Sequence, residues 1–259
     1  MRIIIAPAKK MVPDTDTLPW RDLPLFLEDT RDLLARLRGM SYGELKALWR
    51  CNDSIARLNA ERLEHMDLEA RLTPAVLSYQ GIQYQYMAPG VFTTQEFEYI
   101  QEHLRILSGF YGLLRPFDGV TPYRLEMQAK LDVRGEKDLY GFWGDKLARQ
   151  LFSETDCVLN LASKEYSLCV SRYLTGKERF ITCVFGERKG GKILEKGTAC
   201  KMARGEMVRY LAERGAQSPE EAKDFARLGY RYAPGESDEN TYVFVKEEEN
   251  NAASWDDRP

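Results

Sequence analysis

Arg2-Ile3-Ile4-Ile5-Ala6-Pro7-Ala8-Lys9-Lys10 decides the fold class of this chain. Its β-branched run offers no polar face, as expected of a strand covered by helices on both sides of a sheet, and Pro7 ends it. A second run of the same character is Cys157-Val158-Leu159-Asn160-Leu161-Ala162, followed by Ser163, Lys164, Glu165 and Tyr166 at the start of a predicted helix. Each strand therefore ends in polar residues. Open sheets of parallel strands gather ligands at the strands' carboxyl ends, so Lys9, Asn160 and Ser163 are binding candidates that converge if the two strands are neighbours.

Outward from these strands, three helices are expected early in the chain. Leu23–Leu37 carries an apolar face with Gly39 beyond it, Ser41-Tyr42-Gly43-Glu44 has capping-box spacing ahead of Leu48-Trp49, and Ser54–Leu63 follows. Gly81–Met87 alternates, which predicts an extended segment with Tyr84 and Tyr86 on one side, either packed or available to stack on bases. Thr93-Thr94-Gln95-Glu96 repeats the capping box and opens a helix whose apolar stripe, Phe97, Ile100, Leu104 and Leu107, runs to Gly109. Gly109-Phe110-Tyr111-Gly112 then reads as a turn with exposed amides, and Leu113-Leu114 as a second short helical segment before Pro116. Those amides, with Arg115 and Arg124 nearby, suit an anion.

The second half is more regular. Asp145 lies at the start of a helix to about Phe152, and Phe180–Phe185 pairs with Lys192–Glu195 through Lys189-Gly190-Gly191 as a hairpin. Thr198 is expected to cap a helix to about Arg214, on which Lys201 and Arg204 share a face. Ser218-Pro219 opens a last helix, and Gly229–Tyr232 with Thr241–Val245 form a closing pair of strands. The expectation is α/β (mixed α+β): a single large domain over residues 1–245, with a central mixed sheet flanked by helices. An acidic tail, 246–259, is expected to be disordered.

Composition narrows the function classes. The chain has 37 Lys and Arg against 40 Asp and Glu, and Lys246–Pro259 holds two of the former and five of the latter, so the rest is balanced. Any affinity for nucleic acid must then come from a local patch. No apolar stretch is long enough to span a bilayer and the N-terminus turns polar too soon for a signal peptide, which points to the cytoplasm and no membrane partner. Five cysteines without a Cys-x-x-Cys pair and two distant histidines, His65 and His103, give neither a disulfide framework nor a metal site.

Five blocks carry a likeness: Ile5–Lys10, Leu107–Met127, Leu139–Asp145, Asn160–Tyr166 and Lys201–Gly205. In that order they resemble the YaaA family of peroxide stress-response proteins, from Ile3 to about Phe244. The resemblance implies protection of the cytoplasm from hydrogen peroxide by limiting intracellular iron, DNA binding, a positively charged cleft and a helix-hairpin-helix element. The Leu104–Leu114 turn is the expected counterpart of that element, though it reads Gly-Phe-Tyr-Gly where the usual hairpin has Gly-apolar-Gly. On this reading Lys9, Gly109, Gly112, Arg115, Tyr123, Arg124, Asn160, Ser163, Lys201 and Arg204 contact the phosphates of duplex or structured DNA without reading base sequence. The alternative is an enzyme for a small anionic or nucleotide-like substrate, with Glu126, Glu165 and Tyr166 as candidate proton-transfer groups. No cofactor and no metal are expected, and direct iron sequestration is the weakest reading because its ligands are missing.

Overall fold

The computed structural model describes residues 1–246. In chain order the elements that matter here are β1 (Arg2–Ile5), α1 (Leu27–Arg38), α2 (Tyr42–Trp49), α3 (Asp53–His65), α4 (Ile82–Met87), α5 (Thr94–His103), β2 (Leu104–Ser108), β3 (Gly112–Leu114), α6 (Lys146–Glu154), β4 (Cys157–Asn160), α7 (Lys164–Ser171), β5 (Arg179–Lys189), β6 (Lys192–Leu194), α8 (Gly197–Arg214), β7 (Tyr230–Tyr232) and β8 (Thr241–Lys246). The main sheet has eight strands in the order β7-β8-β5-β4-β1-β2-β3, with β6 paired to β5. Pairing from β8 to β2 is parallel throughout, and β3, β6 and β7 join antiparallel. Helices flank this mixed sheet, as an α/β domain requires.

The two apolar runs are adjacent central strands. Ile4 of β1 pairs with Asn160 of β4, and Leu161 N–H donates to Ile4 O at 2.9 Å, so the chain leaves the sheet at the same edge from both strands. Ile3, Ile4 and Ile5 are fully buried because both faces of the sheet are covered. The capping boxes at Ser41/Glu44 and Thr93/Glu96 form as their spacing predicts, as do the β5–β6 hairpin and the β7–β8 pair.

Several expectations need correction. The first helix starts at Leu27, with Leu23 ahead of it and Phe26 at its N-cap. Gly81–Met87 is helical from Ile82 onward and not extended; Tyr84 is buried, so its ring is no platform for bases. The helix from Thr94 stops at His103, and Leu104–Ser108 is a buried strand beside β1. Leu104 and Leu107 match the helical stripe of Phe97 and Ile100 in spacing, yet strand pairing with Ile3–Ile5 satisfies their backbone groups as well as burying them. Leu113-Leu114 is likewise strand, so Gly109–Gly112 closes a β-hairpin and not a helix-hairpin-helix. A helix–turn–helix connection exists elsewhere, where Arg50-Cys51-Asn52 joins α2 to α3 and Asn52 Oδ1 accepts from Ile55 N–H. Thr198 lies inside α8, whose N-cap is Lys196, and Ser218-Pro219 opens a 3₁₀ segment, Pro219–Asp224, with its capping box intact. Lys246 completes β8, and the remainder of the acidic tail lies outside the described residues.

Candidate functional site

The carboxyl ends of β1 and β4 open onto a cavity of about 390 Å³. Pro7-Ala8-Lys9 leaves β1 along one wall, and Ser163 stands at the N-cap of α7, which places Glu165 and Tyr166 in that helix's first turn at the cavity. Ser163 makes no capping hydrogen bond. Asn160 is outside the cavity lining: its Oδ1 accepts from Ala162 N–H at 2.9 Å and its Nδ2 donates to Thr182 Oγ1 at 3.2 Å, so it fixes the exit of β4 toward the cavity.

Two helices from opposite halves of the chain complete the enclosure. α4 supplies Gln83 and Tyr84, whose hydroxyl donates to Ala6 O at 3.1 Å, and α8 supplies Lys201. α4 can reach this position only because α8 has Gly205, where a Cβ would fall 2.0 Å from Gln83 O. Gly81 is similarly close, its Cβ position lying 3.0 Å from Ala8 Cβ. The chain thus brings backbone against backbone at the wall.

The charges are mixed. Lys9 Nζ is 2.8 Å from Glu126 Oε2 while Lys9 remains 65% exposed, and Arg124 Nη2 lies 3.5 Å from Glu126 Oε1 from a largely buried position. Glu165 Oε1 accepts from Gln128 N–H at 3.3 Å. Burial pushes the Glu165 carboxyl above the usual carboxylate range and the neighbouring Glu126 adds to this, against the opposing pull of the Gln128 amide and Lys9. Tyr166 is held far above an ordinary phenol, chiefly by burial. Gln83 Nε2 is buried and has no hydrogen-bond partner. Anion-attracting ammonium groups, a carboxylate whose proton affinity is raised by burial and an unmet donor are the components of a ligand-binding and proton-transfer site.

Of the residues singled out from sequence, Lys9, Glu126, Ser163, Glu165, Tyr166 and Lys201 line this cavity, with Asn160 and Arg124 supporting it. The others lie elsewhere. Tyr123 is buried below, its hydroxyl 2.6 Å from Ser108 Oγ and 2.9 Å from Tyr79 OH. Gly109 and Gly112 are buried too. The turn amides expected to meet an anion, those of Phe110 and Tyr111, donate instead to Ser108 Oγ at 3.2 and 2.9 Å. Arg115 follows β3 to the amino end of the parallel strands, where it pairs with Asp118 at 3.0 Å and Asp22 at 3.2 Å. Arg204 turns to Glu195 at 3.8 Å. Gln83 escaped notice because its segment reads as extended; only the short spacing of buried Tyr84 and Met87 hints at a helix.

Among the described residues, no group of three or more His, Cys, Asp and Glu side chains is placed to hold a metal ion. Burial pushes the thiols of Cys157, Cys169, Cys183 and Cys200 above their ordinary range, Cys169 to about 12, which disfavours the thiolates that peroxide attacks. No helix among the described residues is long and apolar enough to cross a membrane.

Comparison with known proteins gives this site a context. The family model described as "Peroxide stress protein YaaA" matches residues 1–236. A UPF0246 protein of Lachnoclostridium phytofermentans is 58% identical, over 96% of this chain and 98% of that protein. UPF0246 proteins of Agathobacter rectalis and Pediococcus pentosaceus are 53% and 50% identical, over 95% and 96% of this chain and 99% of each relative. With the match spanning every element that builds the cavity, the chain belongs to the YaaA family of peroxide stress proteins.

Proposed function

We propose that, within a cytoplasmic role in peroxide defence, the cavity at the ends of β1 and β4 binds a small anionic molecule and moves a proton on it. The observation that carries this reading is the meeting of Lys9 and Lys201 with Glu126 and Glu165 around one cavity. A groove made only to grip a phosphate backbone gains nothing from carboxylates, which repel it; a site for a small substrate uses lysines to hold the anion and a carboxylate of raised pKa to accept its proton. Glu165 is the base in this reading, Lys201 the anion anchor, and Glu126 positions Lys9.

Titration of the protein with inorganic phosphate and a nucleotide and metabolite library, followed by detection of bound or converted compounds, tests it. Lys201→Ala is expected to weaken binding about tenfold, and Glu165→Gln to abolish turnover while sparing affinity. A protein that retains and converts nothing overturns the reading.

The exposed ammonium groups of Lys9, Lys10 and Lys201 at the same cavity favour a second reading, that this face contacts duplex or structured DNA through phosphates. Such binding falls steeply with salt, and Lys9→Glu with Lys201→Glu would remove a mobility shift. An unchanged shift rejects it. Either way the effect on iron is indirect, through a product or through DNA access.

A further inference from the structure

Glu126 is shared by two cavities. The second, about 350 Å³, lies beside α2, where Met40, Ala47, Leu48, Trp49 and Ala129 give it an apolar wall. Two buried donors have no partner, one on a residue that lines this cavity and one on a residue in contact with it. Trp49 lines the cavity with its Nε1 buried and unpaired in a residue only 3% exposed, and the Nε of Arg124 is unpaired in a side chain only 10% exposed. Arg124 lines neither cavity but touches residues of both, its Nη2 lying 3.5 Å from Trp49 O and 3.5 Å from Glu126 Oε1. Leaving a buried donor unmet costs about 1–3 kcal/mol, so folded proteins keep such groups where a ligand or a water satisfies them.

The two cavities differ in chemistry. The first gathers the ammonium groups of Lys9, Lys10 and Lys201 and takes an anionic end; the second sets its apolar wall and the Trp49 donor beside the mixed charges of Glu44, Arg50, Glu126 and Lys130, of which Lys130 is held by Asp138 at 2.7 Å. A group with apolar faces and acceptor atoms at its edge fits the second, which describes a heteroaromatic ring. We propose that the two cavities form one bipartite site for a phosphorylated molecule whose ring lies against Trp49 while its phosphate meets Lys9 and Lys201. A nucleoside monophosphate has this form. The inference rests on the small-anion reading above and adds the part of the ligand that reading leaves open.

Calorimetric titration of the full chain with inorganic phosphate, ribose 5-phosphate and AMP separates the two halves. AMP should bind about tenfold or more tightly than ribose 5-phosphate, and Trp49→Phe, which keeps a ring but removes the donor, should erase most of that margin without changing ribose 5-phosphate affinity. Ala47→Phe, at an exposed position on the wall, fills the second cavity without touching the core and should cause the same selective loss. Equal affinities for AMP and ribose 5-phosphate, or AMP binding indifferent to both variants, overturn the bipartite site and assign the unmet donors to buried water. If Lys201→Ala still weakens ribose 5-phosphate in that case, the small-anion reading survives alone. Failure of all three probes to bind overturns the bipartite site and leaves the small-anion reading to the library titration.

Discussion

At the amino end of the parallel strands, Arg105 donates from Nη1 to the carbonyls of Gln101, Glu102 and Leu104 and binds Glu154 at 2.6 and 2.8 Å, while Arg2 reaches the same carboxylate at 3.2 Å. At the carboxyl end, Lys9 and Lys201 stand at a cavity, and Gln83 and Arg124 keep buried donors unmet. Cations and carboxylates stand at both ends; what differs is that at the carboxyl end Lys201 and the buried donors of Gln83 and Arg124 are not spent within the fold, although Lys9 is paired with Glu126. Saturated charges hold a structure together, whereas unspent ones await a ligand. Arg115 belongs to the first class, paired with Asp118 and Asp22, and Lys201 to the second.

The comparison can be broken most severely at the wall of the cavity. Gly205→Ala places a methyl 2.0 Å from Gln83 O, so α4 must move, and a loss of about 3 kcal/mol or more is expected in denaturant unfolding. A stability change below about 1 kcal/mol would show that α4 yields easily and that the cavity is not rigid. At the other end, Arg105→Ala leaves Glu154 with only Arg2 and Gln150 and unties the end of α5, with an expected cost of roughly 3 kcal/mol in the same measurement.

Asp118 sharpens the contrast through pH. Burial raises its carboxyl to about 6, more than the Arg115 amide and guanidinium lower it. A folded-state pKa above the unfolded value means that the folded chain holds the proton longer, so the contribution is full below the unfolded pKa and is lost as pH rises through the folded one. Stability should fall by roughly 3 kcal/mol from this group between about pH 4 and pH 7, and Asp118→Asn should flatten that slope. A slope unchanged in the variant would assign it to another group. The smallest effect is expected at Lys201→Ala, within about 0.5 kcal/mol in unfolding because the side chain is exposed, even as ligand binding falls.

Legibility followed the range of the interactions involved. Capping boxes at Ser41 and Thr93 were readable because a hydroxyl and a carboxylate within one helical turn fix them locally. β1 and β4 were readable because burial on both faces leaves Ile3–Ile5 and Val158-Leu159 apolar throughout. β2 was not, since Leu104 and Leu107 continue a helical stripe and only the proximity of Ile3–Ile5 makes a strand the better arrangement. α4 was hidden for the same reason: its burial depends on Gly205, far along the chain.

For the site, the sequence by itself determined the ingredients: two apolar strands ending in polar residues, a lysine-bearing helix, acidic residues between them, and enough similarity to place the family. Only the tertiary structure decided which of those residues meet. Side chains spaced alike in sequence part company when β3 carries Arg115 to the amino end and leaves Lys9, Glu126, Glu165 and Lys201 together at the other. Strand direction and helix packing are set by long-range burial and backbone pairing, which no local spacing encodes.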